Sequence, residues 1–195
     1  IDLKTRLIKE EKRSLNFIRI GTSGALQADI PVDSFLVSKT AIGFDGMLNF
    51  YTGRNQVSRH DIEIHFCTHT GWNPILAKPY FVDASGKLVE KIGRGLRKGL
   101  TISAPGFYGP QGRILRLNTA DLQLNNKIES FDWHGEKITN YEMESSAIFG
   151  LSKLLGHEAV TVCAIIANRI AGQYSKDYKP VVKDLIHNVL ESIAE

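Results

Sequence analysis

A chain of 195 residues with 43% hydrophobic side chains has enough apolar material for one well-buried core and is too short to require two, so residues 1–195 read as a single domain. Charged residues make up 23%, and the net charge of +3 is spread along the chain without a long run of like charges, which argues against a nucleic-acid partner. No apolar stretch reaches the length of a membrane span, the N-terminus lacks the layout of a signal peptide, and Cys67 and Cys163 form no paired motif, so a cytoplasmic protein with free thiols is expected.

Residues 1–16, which open on Ile1 and not Met, read as the tail of a helix or a connection running into a strand at 17–20. That strand opens into Arg19-Ile20-Gly21-Thr22-Ser23-Gly24-Ala25. Small residues expose backbone N–H groups there, and Arg19, Thr22 and Ser23 add side-chain donors, so the turn can hold an anion such as phosphate. An ordinary strand-end turn is the other reading. The spacing matches neither a Walker loop nor a dinucleotide fingerprint. A second apolar run at 35–37 reads as a buried strand. Between 52 and 97 Gly, Pro, His and mixed charges predict a loop followed by a helix over 79–93. His65, Cys67 and His69 alternate there as they would on one strand face, but with no fourth partner nearby no metal site is assigned.

A third strand at 100–103 leads into Phe107-Tyr108-Gly109-Pro110-Gln111-Gly112-Arg113. The Gln111 amide offers a donor and an acceptor, the Arg113 guanidinium donates in a plane, and Phe107 supplies a stacking face, a set that suits a pyrimidine edge. A surface loop would look much the same. Residues 142–155 predict a helix, with one apolar face from Ala147 to Leu155 and a stop at Gly156. Its start holds Glu142, Met143 and Glu144. Acids in a first turn complement the helix dipole, while carboxylates flanking a Met also suit vicinal sugar hydroxyls beside a packing thioether. The apolar run 159–167 is the strongest strand, and Asn168-Arg169 follows at its carboxyl end, where ligands gather in open α/β sheets. An amphipathic helix over 181–193, with Pro180 in its first turn, closes the chain. Near-continuous strands alternating with helices predict an α/β fold.

Together, in identity and order, these clusters resemble the nucleoside phosphorylase family, and within it the uridine phosphorylase branch, from about residue 17 to the C-terminus. The resemblance implies a three-layer α/β/α sandwich around a central mixed sheet. It implies phosphorolysis of uridine to uracil and ribose 1-phosphate in pyrimidine salvage, with inorganic phosphate as co-substrate and no metal or organic cofactor. Arg19 and Thr22 would then bind phosphate, and Glu142, Met143 and Glu144 the ribose. Phe107, Gln111, Arg113 and Arg169 would hold the base, with Gln111 and Arg113 stabilising the departing uracil. Purine-specific relatives carry an Asp near the position of Asn168, which this chain lacks. A homo-oligomer, dimer or hexamer, is implied as well. Family members also have an earlier phosphate loop that is not found here, so the chain is expected to begin partway through the fold, with reduced turnover. A nucleosidase of the same fold using water, or an inactive nucleoside-binding protein, remain the alternatives.

Overall fold

The computed structural model describes residues 13–194, so most of the segment read as the approach to the first strand, 1–12, lies outside the described residues. In chain order the elements are β1 (Asn16–Ala25), β2 (Phe35–Gly43), a 3-10 turn (Met47–Phe50), α1 (Arg54–Val57), α2 (His60–Thr70), β3 (Tyr80–Asp83), α3 (Gly86–Ile92) and β4 (Arg97–Ser103). A second 3-10 turn (Gly109–Gln111), α4 (Leu124–Ser130), β5 (Asp132–Trp133), β6 (Glu136–Glu142), α5 (Ser145–Leu154), β7 (Glu158–Asn168), β8 (Gln173–Tyr174) and α6 (Tyr178–Ala194) complete the chain.

The apolar run of β7 sits at the centre of the pairing. It lies parallel to β1, with Arg19 opposite Thr161, and antiparallel to the first half of β2, with Phe35 opposite Ala164. β2 runs parallel to β4, β4 parallel to β6, and β6 antiparallel to β1. The sheet is therefore mixed, as the sequence implies, and the β2–β7 pairing bends five of its strands into a closed ring. A run of buried side-chain hydrogen bonds crosses this ring: Ser38 to Thr101 at 2.7 Å, Thr101 to Asn140 at 2.8 Å and Asn140 to Ser23 at 2.6 Å. Polar residues are tolerated in these strands because each finds a partner there.

Helices cover the sheet on both sides. Leu88, Val89 and Ile92 of α3, Phe149 of α5 and Leu185 and Val189 of α6 pack with Val37, Val160 and Val162 in one core. Ile62 and Phe66 of α2 and Ile128 of α4 pack with Ile42, Ile102 and Tyr141 in another. This is the three-layer α/β/α sandwich expected from the resemblance. Between Ser23 and Gly24 the β1–β7 register steps by one: Ser23 faces Ile165 but Gly24 faces Ala167, so Ile166 has no opposite residue. Such a bulge absorbs one residue of the strand. Asn168 then shares the buried side with Ile165, where both meet Ile30, while Arg169 turns away from it.

Several sequence expectations are corrected. The helix over 79–93 is a strand followed by a shorter helix, because Tyr80, Phe81 and Val82 are fully buried against β2 and Ser85 caps the turn after them, its Oγ accepting from the Leu88 N–H at 3.3 Å. The preceding loop contains α2, whose buried residues are Ile62, Glu63, Phe66 and Thr70, and which stops at Gly71 in a left-handed conformation (φ 59°). His65, Cys67 and His69 thus lie on a helix, where only residues four apart share a face, and the described residues hold no cluster able to bind a metal ion. The helix at 142–155 begins at Ser145, since Glu142 ends β6. Its expected stop is found: Gly156 adopts φ 75°. No helix among the described residues is long and apolar enough to cross a membrane.

Candidate active site

Glu142 is buried, and what buries it is the start of α5. Its carboxylate accepts from the backbone N–H of Glu144 at 3.0 Å and of Ser145 at 2.9 and 3.1 Å, and from the Ser103 hydroxyl. Ser103 Oγ in turn accepts from the Ser146 N–H at 2.8 Å. The free N–H groups at the head of α5 are therefore satisfied by strand side chains, a cap assembled across the fold in place of a local one. Glu142 holds this corner together, whereas Glu144, two residues on, has a side chain 53% exposed.

Arg19 on β1 reaches both acids. Its guanidinium lies 3.2 Å from Glu142 and pairs closely with Glu144, while Nη1 donates to Cys163 Sγ at 3.5 Å. Burial works against the cation, but the Cys163 sulfur and the two carboxylates outweigh it and raise the Arg19 pKa. Cys163 is fully buried, which pushes its thiol up to about 12 against the opposing pull of Arg19, so it stays neutral. Gly21 makes the arginine's position possible: a Cβ there would lie 2.7 Å from Arg19 Nη1. Thr22 is half-buried, and its hydroxyl has no hydrogen-bond partner among the described residues. Met143 lies between the two acids, 41% exposed.

A second cluster adjoins the first through Tyr141, the residue before Glu142, which pairs with Gly24 across β1 and β6. Gln111 is buried although the four residues before it are exposed. Its side-chain oxygen accepts from Arg113 at 2.8 Å and from Arg169, and its backbone carbonyl accepts from Arg169 Nη1 at 2.9 Å. With the oxygen taken by two cations, the amide nitrogen is the donor left for a ligand. Arg113 also donates to the Phe107 carbonyl at 2.6 Å and lies 3.7 Å over the Phe107 ring, so it occupies the stacking face assigned to a base. Arg169 rests 4.7 Å over the Tyr141 ring. Burial and the neighbouring Arg113 lower its pKa to about 10, still well above neutrality, so the cation persists. Its buried Nε has no partner among the described residues.

Arg113 and Tyr108 border a groove of about 890 Å³ whose other walls include Phe44, Trp72 and Leu115. A crevice of about 960 Å³ between Lys39, Arg59, Glu136 and Lys137 contains none of the residues singled out from the sequence. The convergence of side chains at the strand ends, and not cavity size, locates the candidate site. Asn168 stands outside it: its amide donates to the carbonyls of Gln27 at 2.9 Å and Ile30 at 2.8 Å, and its oxygen accepts from the N–H groups of Ile170 and Ala171. Asn125, in contact with this cluster, escaped the sequence reading, and Tyr141 stands in the stretch read as a ribose motif but had no role assigned to it there. Asn125 is one of two consecutive asparagines on a short helix and carries no local signal.

A family model described as the phosphorylase superfamily matches residues 3–194. The chain belongs to the phosphorylase superfamily. It is 27% identical over 166 residues to a uridine phosphorylase of Thermococcus kodakarensis, covering 82% of this chain and 51% of the relative. It is 26% identical over 156 residues to a guanosine phosphorylase of Halorubrum lacusprofundi, covering 80% and 52%. Among solved structures, a Trypanosoma brucei nucleoside phosphorylase described as showing uridine phosphorylase activity superposes with a TM-score of 0.80 at 26% identity, over 92% of this chain and 63% of that one. The chain thus spans about half the length of these curated superfamily relatives.

Proposed function

We propose that this chain carries the base and ribose sites of a uridine phosphorylase, which converts uridine and inorganic phosphate to uracil and ribose 1-phosphate. The observation that carries the reading is the Gln111–Arg113–Arg169 cluster, two guanidiniums and one free amide donor, set beside Arg19 and Glu144 across the paired ends of β1 and β6. In this scheme phosphate docks on Arg19 and Thr22, a contact to the guanidinium being worth about 1.5–3 kcal/mol. Glu144 accepts hydrogen bonds from the ribose hydroxyls and Met143 packs on the sugar, while Glu142 keeps the corner rigid. A phosphate oxygen forms the new bond to C1′ as the bond to uracil N1 breaks. The electron pair leaves with the uracil, whose developing negative charge meets Gln111 Nε2, Arg113 and Arg169. Arg113 leaves the Phe107 face when the base enters.

No metal or organic cofactor enters this scheme. The reading includes a homo-oligomer, dimer or hexamer, acting in cytoplasmic pyrimidine salvage. A guanosine phosphorylase among the relatives makes a purine nucleoside the competing substrate. What favours uridine is the resemblance of the Phe107, Gln111 and Arg113 pattern to the pyrimidine-directed branch; uracil N3–H and guanine N1–H alike need an acceptor, so either base must displace an arginine from the Gln111 side-chain oxygen.

The test is uracil release from uridine with and without phosphate, followed by the ultraviolet change on base loss, alongside guanosine and calorimetric binding of uridine. Phosphate-dependent release, or uridine binding that Gln111→Ala weakens by about tenfold or more, supports the reading. Release without phosphate would make the protein a nucleosidase. Preferential cleavage of guanosine, or neither release nor binding of uridine, would overturn the assignment.

A further inference from the structure

The residues in direct reach of a base sit on a loop, and a loop does not hold an amide to a fraction of an ångström without support. Phe107, Tyr108, Gly109 and Pro110 are exposed, and Gln111 is the buried residue of that run. Beneath it the structure has a short relay. The side-chain nitrogen of Asn125 on α4 donates to the Gln111 backbone carbonyl at 3.2 Å, and the Tyr141 hydroxyl on β6 donates to Asn125 Oδ1 at 3.2 Å. The orientation of Asn125 is fixed by these partners, since a carbonyl can only accept. Burial raises the Tyr141 pKa, so its hydroxyl keeps its proton across the physiological range. The fit is close on the loop side too: a Cβ on Gly112 (φ 69°) would fall 2.2 Å from Asn125 Nδ2. Tyr141 itself lies under Arg169, which donates at 2.9 Å to the same Gln111 carbonyl that Asn125 holds.

We propose that Asn125 and Tyr141 are positioning residues that fix the direction of the Gln111 amide and thereby set affinity and selectivity for the base. The proposal rests on the uridine reading of the pocket. Neither side chain needs to touch substrate: Asn125 anchors the loop to α4, and Tyr141 ties α4 to the sheet strand that also carries Glu142. Displacing the amide by an ångström costs alignment at the base while leaving the phosphate groups on β1 and the ribose groups at the junction of β6 and α5 in place.

Calorimetric binding of uridine and of inorganic phosphate, measured for Asn125→Ala, Tyr141→Phe, Gln111→Ala and the double variants, tests this. Asn125→Ala is expected to weaken uridine by about tenfold and Tyr141→Phe by about threefold, each leaving phosphate binding within about twofold. In the Gln111→Ala background Asn125→Ala should add less than about twofold, because both act through one amide. Asn125→Asp, which keeps the acceptor for Tyr141 but sets a carboxylate against the Gln111 carbonyl, should be no better than Ala. Tyr141→Phe removes a single hydroxyl, so it carries the test if the Asn125 variants fail to fold. If Gln111→Ala weakens uridine while Asn125→Ala and Tyr141→Phe do not, or if their effects multiply fully with it, the positioning role is wrong and the pocket reading stands. If Gln111→Ala leaves uridine binding unchanged, the uridine reading fails and the positioning role falls with it.

Discussion

Arg19 is the residue on which the two halves of the proposed site meet, and its place depends on an atom that is missing. Because Gly21 has no side chain, the guanidinium lies back along its own strand and reaches Glu142, Glu144 and Cys163 together. Gly21→Ala would put a methyl group 2.7–2.9 Å from the guanidinium atoms, so the arginine must swing out. The strand itself accepts alanine, and the change is expected to alter stability by about 1 kcal/mol or less while weakening phosphate by about tenfold. Calorimetric phosphate binding set beside a thermal melt checks both halves of that expectation. The two neighbouring acids divide in a way their adjacency in sequence hides. Truncating Glu142 leaves three donors without their buried acceptor and removes one of the two carboxylates that Arg19 holds, a loss of about 3–5 kcal/mol of folding stability readable in a denaturant titration, whereas Glu144→Ala should leave the midpoint nearly unchanged. Arg19, Gln111, Arg113, Glu144 and Arg169 could be named from the sequence because their residue types sit in recognisable order. The backing of Gln111 by Asn125 and Tyr141 could not, since it exists only once α4 and β6 are folded against the loop.

At the level of elements, the ends of strands decide which side chain faces what. Asn168 and Arg169 are neighbours in sequence, yet one is a buried bracket for the 27–30 turn and the other a wall of the Gln111 cluster. An Asp at 168 would set a carboxylate where the Asn168 amide donates to backbone carbonyls. Asn168→Asp is therefore expected to destabilise the fold by about 3 kcal/mol without conferring guanosine cleavage. A thermal melt and a guanosine assay on the same preparation check it, and a stable variant that cleaves guanosine would contradict the geometry. The strands legible in sequence were those with apolar runs, β1, β2, β4 and β7. β6 was not, because Thr139, Asn140 and Glu142 are buried polar residues whose partners lie on other elements. α2 hid for a related reason: of its four buried residues Glu63 and Thr70 are polar, and Ile62 and Phe66 make too thin an apolar stripe for periodicity to register.

For the whole molecule the telling feature is the closed ring of β2, β4, β6, β1 and β7. Its most extensive pairing joins β1 to β7, more than 130 residues apart in sequence, so no part of the ring is locally sufficient. Amide exchange should be slowest in β1, β7 and the first half of β2, and fast in the two-residue strands β5 and β8, a ranking that hydrogen–deuterium exchange with mass spectrometry measures directly. A ring also governs how the family's chain length can drift. Removing one residue from a strand paired on both sides reverses the facing of everything beyond it and breaks agreement with two neighbours at once. Ile166 faces nothing across the β1–β7 ladder, as Lys39 faces nothing across β2–β4 and Thr139 across β4–β6, and these bulges are the exceptions: the loss of Ile166 would leave Asn168 turned inward and Arg169 outward. Chain length can therefore change at these bulges while the residues beyond them keep their facing, which makes them slots for insertion and deletion in a frame that elsewhere admits only substitution.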